Sequence, residues 1–232
     1  MRHLPSAPRR ARVAAPLVLV LATLAVSGCG GDTPTNGVEK MSGGEVHRKA
    51  AAALESAKSA HVKGTGVFEG HPVNMDLRIS GTSTSGALAV AGVRVAFTKI
   101  GAITYIKASG RALGRLGASP AAARVGADRW LKLGPKQVTS WEGFSLAELA
   151  DQLVHDGSPV DPQVTQATLD GRQVVVLTQQ NGSKLYVANT GRPYPLRGEY
   201  KGAAPGRIDF TEYGTDFRIT APENAIDVAK RR

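Results

Sequence analysis

The stretch VNMDLRI, residues 73–79, alternates between apolar and polar side chains at every position. A period of two places the apolar side chains on one face of a β-strand and the polar side chains on the other. The same alternation recurs in residues 93–98, VRVAFT, and shorter strand-like runs lie at 85–91 and 103–107. Glycines separate these runs, and such short gaps predict strands that pair antiparallel with their neighbours.

The second half of the chain predicts a longer meander. Its strand-like runs lie at 164–169, 172–179, 184–190, 194–200, 207–213 and 217–220. Asp170-Gly171 and Asn181-Gly182 join the first three runs, and both dipeptides are strong hairpin signals because the turn needs positive φ angles. The total of about ten strands is more than a strongly twisted open sheet carries without curling. We therefore expect a curved sheet with a concave face.

Helical patterns precede and interrupt the strands. The first helix follows a capping-box pattern at Ser42 and Glu45 and is predicted to end near Ser59. The second, over 145–155, also begins with capping-box spacing and carries its leucines on one side. Residues 112–124 are interrupted by glycine and proline, which predicts a broken helix or a flexible flap. The fold class is therefore α+β, a large curved antiparallel sheet that forms a half-barrel over a few helices.

An export signal precedes the domain. Four arginines are followed by an apolar run over residues 13–26, which is shorter than the roughly 20 residues that span a bilayer. The run ends in Val26-Ser27-Gly28-Cys29, which resembles the lipobox of bacterial lipoproteins. This resemblance implies cleavage between Gly28 and Cys29 and a diacylglycerol on the Cys29 thiol. The alternative interpretation of this single cysteine is a small buried hydrophobe, and without a second cysteine no disulfide forms within the chain.

These features predict three segments: a lipoprotein signal peptide at 1–28, a flexible tether at 29–44 and one domain at 45–232. We expect the mature protein to be lipid-anchored on the extracytoplasmic face of the cell membrane. The four signal arginines account for four of the ten net positive charges. The remaining excess suits either contact with an anionic membrane surface or ordinary solubility. No basic run with interleaved aromatic residues follows Cys29, so no nucleic-acid partner is predicted.

The sequence holds no catalytic motif. It has neither a Gly-x-Ser-x-Gly elbow nor a phosphate-binding glycine loop. The four histidines that follow Cys29 have no metal-ligand spacing, and we predict that each is exposed or bonded once. They are His47, His61, His71 and His155. We therefore expect no enzyme activity, no metal and no cofactor.

The order of these segments resembles the LppX and LprG type of actinobacterial envelope lipoprotein, which shares the fold of the LolA and LolB lipoprotein carriers. The resemblance covers residues 45 to about 228. It is carried by ALESAKSAHVKG at 53–64, YVANTGRP at 186–193, DFTEYG at 209–214 and ITAP at 219–222.

The resemblance implies an apolar cavity that takes the acyl chains of a lipid or glycolipid, which the protein carries or hands over. A membrane transporter of the envelope is a possible partner. We place eight residues along the cavity, although a shift of one position would turn a strand's side chains to the other face. They are Met75, Leu77, Val93, Val95, Phe97, Leu149, Val174 and Val176.

Two further features leave alternatives open. Small residues at Gly86, Ala87, Ala89, Ala91 and Gly92 either leave room on the concave side or let the sheet pack tightly on a helix. Arg111, Arg115 and Arg124 either meet an anionic headgroup or are simply solvated.

The main alternative function is a non-carrier interaction lipoprotein, a sensor or assembly factor, that docks a protein partner on the half-barrel. A filled interior with an exposed apolar patch would favour it. An envelope hydrolase is a weaker third hypothesis.

Overall fold

A computed structural model describes residues 34–68, 70–135, 144–155, 158–202 and 205–228. The predicted signal peptide, Gly28, Cys29 and the start of the tether lie outside these residues. The helices are α1 (Gly43–Glu55), α2 (Gly110–Arg115), α3 (Pro120–Gly126) and α4 (Leu146–His155), and a 3-10 helix spans Val38–Lys40. The strands are β1 (Ser59–Phe68), β2 (His71–Ser80), β3 (Ser83–Val90), β4 (Val93–Ile100), β5 (Ile103–Ala108), β6 (Leu131–Leu133), β7 (Thr165–Leu169), β8 (Arg172–Thr178), β9 (Lys184–Ala188), β10 (Pro195–Tyr200), β11 (Gly206–Thr211) and β12 (Ile226–Asp227).

The strands form one open, curved sheet in the order β12-β6-β5-β4-β3-β2-β1-β11-β10-β9-β8-β7. Strands β1–β5 and β7–β11 are two antiparallel meanders, and the pairing of β1 with β11 joins them side by side. The α+β half-barrel expected from the sequence is thereby confirmed. One pair departs from the antiparallel expectation, because β12 runs parallel to β6.

The end of the chain explains that parallel pair. The predicted strand at 217–220 is wrong, since these residues form no strand. Strand β11 already pairs with β1 on one side and β10 on the other, so a following hairpin has no free edge. The chain instead runs to the sheet edge, where Ile226 N–H donates to the Trp130 carbonyl at 2.8 Å.

Helix α1 begins where its cap predicts. The backbone N–H and the hydroxyl of Ser42 both donate to the Glu45 carboxylate, at 2.9 and 2.7 Å. The helix ends at Glu55, before the predicted Ser59, because Ser59 already opens β1. The buried side of α1 packs against α4, β8 and β10, so this helix covers the concave face.

Part of the segment predicted as a tether, before α1, packs against the folded domain. The Asn36 side chain donates to the Ala188 carbonyl at 2.9 Å, and Val38 is fully buried beside α1 and β8. Residues 35–44 therefore belong to the folded domain, because Val38 supplies an apolar anchor that a Gly-, Thr- and Pro-rich composition conceals.

The segment predicted as a broken helix or flap forms two short helices, α2 and α3. The hydroxyls of Ser109 and Ser119 cap them by accepting hydrogen bonds from backbone N–H groups. Gly117, between the two helices, has a φ of +91°, a left-handed conformation that ends α2.

The two predicted hairpin turns differ in their backbone. Asp170 and Gly171 both have positive φ angles, 49° and 79°, as the prediction requires. At the second turn only Gly182 has a positive φ, 82°. The Asn181 side chain accepts a hydrogen bond from the Ser183 N–H at 2.9 Å, which helps to close the turn although Asn181 itself does not adopt a left-handed conformation.

His61 contradicts the prediction of an exposed or singly bonded histidine. It is buried on the outer face of β1, and its ring nitrogens lie 2.7 Å from both the Asp76 and Glu212 carboxylates. The residue next in sequence, Val62, points to the opposite face and is fully buried.

A second polar cluster lies on the outer face, where Asp209 sits between two arginines. Its oxygens accept from Arg197 Nε at 2.6 Å and Arg207 Nε at 2.7 Å. Burial alone would raise the pKa of Asp209, but the hydrogen bonds from both guanidinium groups outweigh it and hold that pKa below its usual range. Because the folded-state pKa is depressed, the stabilisation is present above the unfolded-state pKa and disappears as pH falls through the folded-state pKa.

We therefore expect the free energy of unfolding of the wild type to decrease as the pH is lowered from about 5 to about 2. In Asp209→Asn this decrease should be smaller by on the order of 1 kcal/mol. Urea unfolding at stepped pH values measures it. Glu223→Gln, at an exposed carboxylate with no described salt bridge, is the control. An unchanged slope in Asp209→Asn would contradict the assignment.

Candidate functional site

The candidate site arises where the concave face of the sheet extends beyond the helices that cover it. Register places the inward side chains of β1–β4 in rows. The deepest of the three rows considered lies in the core through Val62, Leu77 and Phe97, and it includes the half-buried Gly86. The next row is Gly64, Met75, Leu88 and Val95, and the outermost is Gly66, Val73, Val90 and Val93.

Burial of the side chains on β2 decreases from the first row to the third. Leu77 is 1% exposed, whereas Met75 and Val73, on the same face of β2, are half-buried. Apolar side chains that a folded domain leaves uncovered line a cavity or a binding surface. In this protein they line a cavity.

The cavity has a volume of about 820 Å³. Its sheet wall is formed by β1–β4 and by Tyr200, Gly206 and Ile208 of β10 and β11. Phe144, Leu149 and Gln152 close it from the side of α4, and Arg115 and Leu116 lie at the end of α2. Leu116 is 49% exposed, so an apolar side chain stands at the rim.

A glycine on β1, which has no side chain, enlarges the cavity. Gly66 lies in the outermost inward row, and a Cβ built there would have no atom nearer than 3.7 Å. The residue is therefore not required for close packing, and its hydrogen atom leaves the floor of the cavity bare. Valines and leucines make up about half of the remaining lining.

The volume suits a long acyl chain. A methylene takes about the 30 Å³ of a water molecule in the liquid, so 820 Å³ corresponds to on the order of 25 methylenes. Ligand pockets span about 300–1,000 Å³. One chain of a membrane lipid, or most of two, fits this space.

A smaller pocket of about 200 Å³ adjoins the cavity. The two share Leu149, Gln152, Tyr200 and Ile208 as lining residues. The pocket also contains His47, where burial lowers the pKa against a hydrogen bond to the backbone of Leu153 that raises it. At neutral pH this imidazole is therefore uncharged, which suits the edge of an apolar site.

Five of the eight predicted cavity residues line the cavity together: Met75, Leu77, Val93, Val95 and Leu149. Phe97 lies on the same face but one layer deeper, 1% exposed, with its ring centroid 5.4 Å from that of Phe144. It supports the wall and does not line it. A ligand-binding role for these residues stays a prediction.

Val174 and Val176 lie elsewhere. They pack in a separate cluster with Ala188 and Leu196, while their neighbours Val175 and Leu177 pack against the α1 side of the sheet. Because strand side chains alternate, both predicted residues face away from α1. The continuous valine run at 174–176 carries no alternation, so the sequence could not select the face.

The small residues of β3 divide between the faces. Gly86 lies in the deepest inward row, but Ala87 and Ala89 pair with Asp76 and Asn74 and face outward. The inward side chains Leu88 and Val90 were missed as site residues. The turn at Ala91 and Gly92 pairs Val90 with Val93. Because Val93 was predicted to face the cavity, this pairing could have identified Val90, and the alternation of the strand would then have identified Leu88.

Two features are absent from the described residues. No group of three or more His, Cys, Asp or Glu side chains is placed to hold a metal ion within them. Nor does that part of the chain contain a helix with the length and apolarity to cross a membrane.

Comparison with known proteins identifies the fold. The sequence matches no protein-family model and no curated protein. LprF from Mycobacterium bovis superposes with a TM-score of 0.56 at 13% identity, over 82% of this chain and 99% of LprF. The lipoprotein LppX from Mycobacterium tuberculosis superposes with a TM-score of 0.51 at 11% identity, over 77% of this chain and 98% of LppX. The chain therefore has the fold of LprF and LppX, as the sequence resemblance predicted.

Proposed function

We propose that this protein, which has the fold of LprF and LppX, is an envelope lipoprotein that binds the acyl chains of a lipid or glycolipid and hands the lipid over without covalent chemistry. The observation that carries the proposal is the open apolar cavity of about 820 Å³ between the sheet, α2 and α4.

The energetics of an acyl chain support this use of the cavity. A 16-carbon chain loses roughly 13 kcal/mol of transfer free energy when it enters water, at about 0.8 kcal/mol per methylene. A carrier must therefore enclose the chain while it leaves one membrane surface for another site. The cavity has an apolar lining on the side of the sheet, and helices α2 and α4 cover its other side.

Anchoring belongs to the same proposal. Acylated Cys29 would hold the domain at the extracytoplasmic surface, and two or more chains give stable attachment. Because residues 35–44 fold onto the domain, only residues 30–34 lie between the acylated cysteine and the folded part. A donor or acceptor in the envelope, such as a membrane transporter, completes the transfer.

The alternative of a protein-docking lipoprotein predicts a filled interior with an exposed apolar patch. The cavity is open, and the apolar rim residue Leu116 stands beside it. This arrangement favours a ligand inside the half-barrel over a partner on a collapsed surface.

Native mass spectrometry tests the proposal. The full chain is expressed in an exporting bacterial host, purified in mild detergent and analysed before and after organic extraction. We expect about one non-covalent lipid per protein, removed by extraction. A protein without any lipid adduct, before or after incubation with phospholipid and glycolipid, would contradict the carrier function and favour protein docking. Denaturing spectra of the same sample report Cys29 acylation, because a covalent diacylglycerol survives extraction.

A further inference from the structure

A second, more open cavity of about 760 Å³ adjoins the mouth of the apolar cavity. Ala91, Val93 and Arg115 line both. The second cavity is basic, since a single acid, Asp128, accompanies four cations in its lining. We call these cations the basic rim: Arg94, Lys107, Arg111 and Arg115.

The fold brings the basic rim together from two directions. Arg94 and Lys107 lie on the neighbouring strands β4 and β5, where the pairing of Val95 with Ala108 ends the ladder. Arg111 and Arg115 are four residues apart on α2, so they share one side of that helix. Arg94 and Lys107 occupy outward positions at the ends of β4 and β5, and Arg111 and Arg115 lie on the helix side. The four charges therefore line one cavity around the strand ends, next to the place where the apolar lining stops.

Within the part of the chain that the structure describes, the rim cations have no acidic salt-bridge partner. All four are exposed, and no described residue forms a salt bridge with any of them. On the outer face, by contrast, Arg197 and Arg207 share Asp209. Arg115 Nη1 donates a long hydrogen bond, 3.5 Å, to the carbonyl of Ala91 at the mouth.

Such an arrangement favours an anion. Like charges on one side of a helix repel each other, and a bound anion relieves that repulsion. Guanidinium groups also bind phosphate through two parallel hydrogen bonds, a geometry that lysine and neutral side chains lack. An apolar cavity that opens onto this rim matches an amphiphile whose polar end is negative.

We propose that the basic rim binds the anionic, phosphate-bearing headgroup of the lipid whose acyl chain occupies the cavity. This inference rests on the proposed function and narrows its ligand class to anionic phospholipids. Of the three arginines considered from the sequence, Arg111 and Arg115 belong to the rim. Arg124 does not line it, and its Nε donates to the carbonyl of Pro120 at 3.4 Å.

A charge-reversal pair tests the rim in the full chain. Lys107→Glu/Arg111→Glu is compared with Lys49→Glu/Arg192→Glu, which makes the same change in net charge at exposed positions outside both cavities. Each protein is incubated with vesicles of phosphatidylglycerol, or of phosphatidylcholine containing diacylglycerol with the same acyl chains. Bound lipid is quantified by native mass spectrometry.

We expect the rim variant to bind phosphatidylglycerol about tenfold less than wild type and the control variant to match wild type. Diacylglycerol binding should be equal in all three proteins, and excess inorganic phosphate should not displace phosphatidylglycerol. Higher salt should weaken only the phosphatidylglycerol complex.

Other outcomes separate the ways in which the inference can fail. Equal phosphatidylglycerol binding in the rim variant and wild type would overturn it and leave the proposed function standing. Displacement by phosphate at equal concentration would assign the rim to free anions. A variant that loses vesicle association but keeps its lipid adduct would assign the rim to the bilayer surface. If wild type binds glycolipid but not phosphatidylglycerol, the inference is overturned and the proposed function stands. If wild type binds none of these lipids and no glycolipid, the proposed function itself fails.

Discussion

Val90→Trp should lower the affinity for lipid by about 15-fold or more. Val90 lies in the outermost inward row of the cavity and pairs with Val73 and Val93. An indole placed there occupies space that the acyl chain would fill. Excluding two methylenes costs about 1.6 kcal/mol, which corresponds to about 15-fold in affinity. Quantified lipid adducts over a range of lipid concentrations measure the change.

The adjacent residue supplies the control for this variant. Ala89 pairs with Asn74 and Arg94 and faces the outside of the sheet, so Ala89→Trp adds the same ring on the opposite face of the same strand. We expect it to bind lipid as wild type does. Equal loss in both variants would show that strand distortion, and not occupation of the cavity, lowers binding.

Gly86→Ala should be the most destabilising single methyl addition in the sheet. A Cβ at Gly86 would lie closer to the backbone carbonyl oxygen of Asp76 than any non-bonded contact allows. Relief requires moving β3 away from β2, which weakens ladder hydrogen bonds around the pair Leu77 and Gly86. We expect a loss of about 3 kcal/mol and a fall in Tm of about 10 °C.

Gly114→Ala is the matched control for that substitution. Gly114 lies within α2, and a Cβ there would meet nothing within 4 Å. Alanine restricts the unfolded chain and favours the helix, so we expect a gain of about 0.5–1 kcal/mol. Thermal and urea unfolding of both variants measure the difference. A Tm for Gly86→Ala within 2 °C of wild type, set against the expected fall of about 10 °C, would contradict the close approach of the two strands.

The sequence predicts much of this fold because local sequence patterns agree with the strands and turns that the structure contains. Alternation at 73–79 and the Asp170-Gly171 turn each determine a strand or hairpin by themselves. The pairing of β1 with β11 is different, because these strands are 150 residues apart at His61 and Thr211 and no local pattern connects them. The same holds for β12, whose two residues gain strand structure only from β6.

Apart from Leu149 of α4, the predicted residues that line the cavity come from strands with strict alternation. Met75, Leu77, Val93 and Val95 come from alternating strands, and all four line the cavity. Val174 and Val176 come from an unbroken apolar run that fits either face. The basic rim depends on tertiary structure, since Arg94 and Arg111 meet only after β5 has returned the chain and α2 has folded back.

Photo-crosslinking tests most directly the central claim that an acyl chain occupies this cavity. The full chain is loaded with a phosphatidylglycerol that carries a diazirine near the end of one acyl chain, irradiated, digested and sequenced by mass spectrometry. We predict labels on the inward residues of β2–β4, such as Val73, Leu88 and Val95. Labels confined to the outward cluster of Val174, Val176 and Leu196, or no label on the loaded protein, would contradict it.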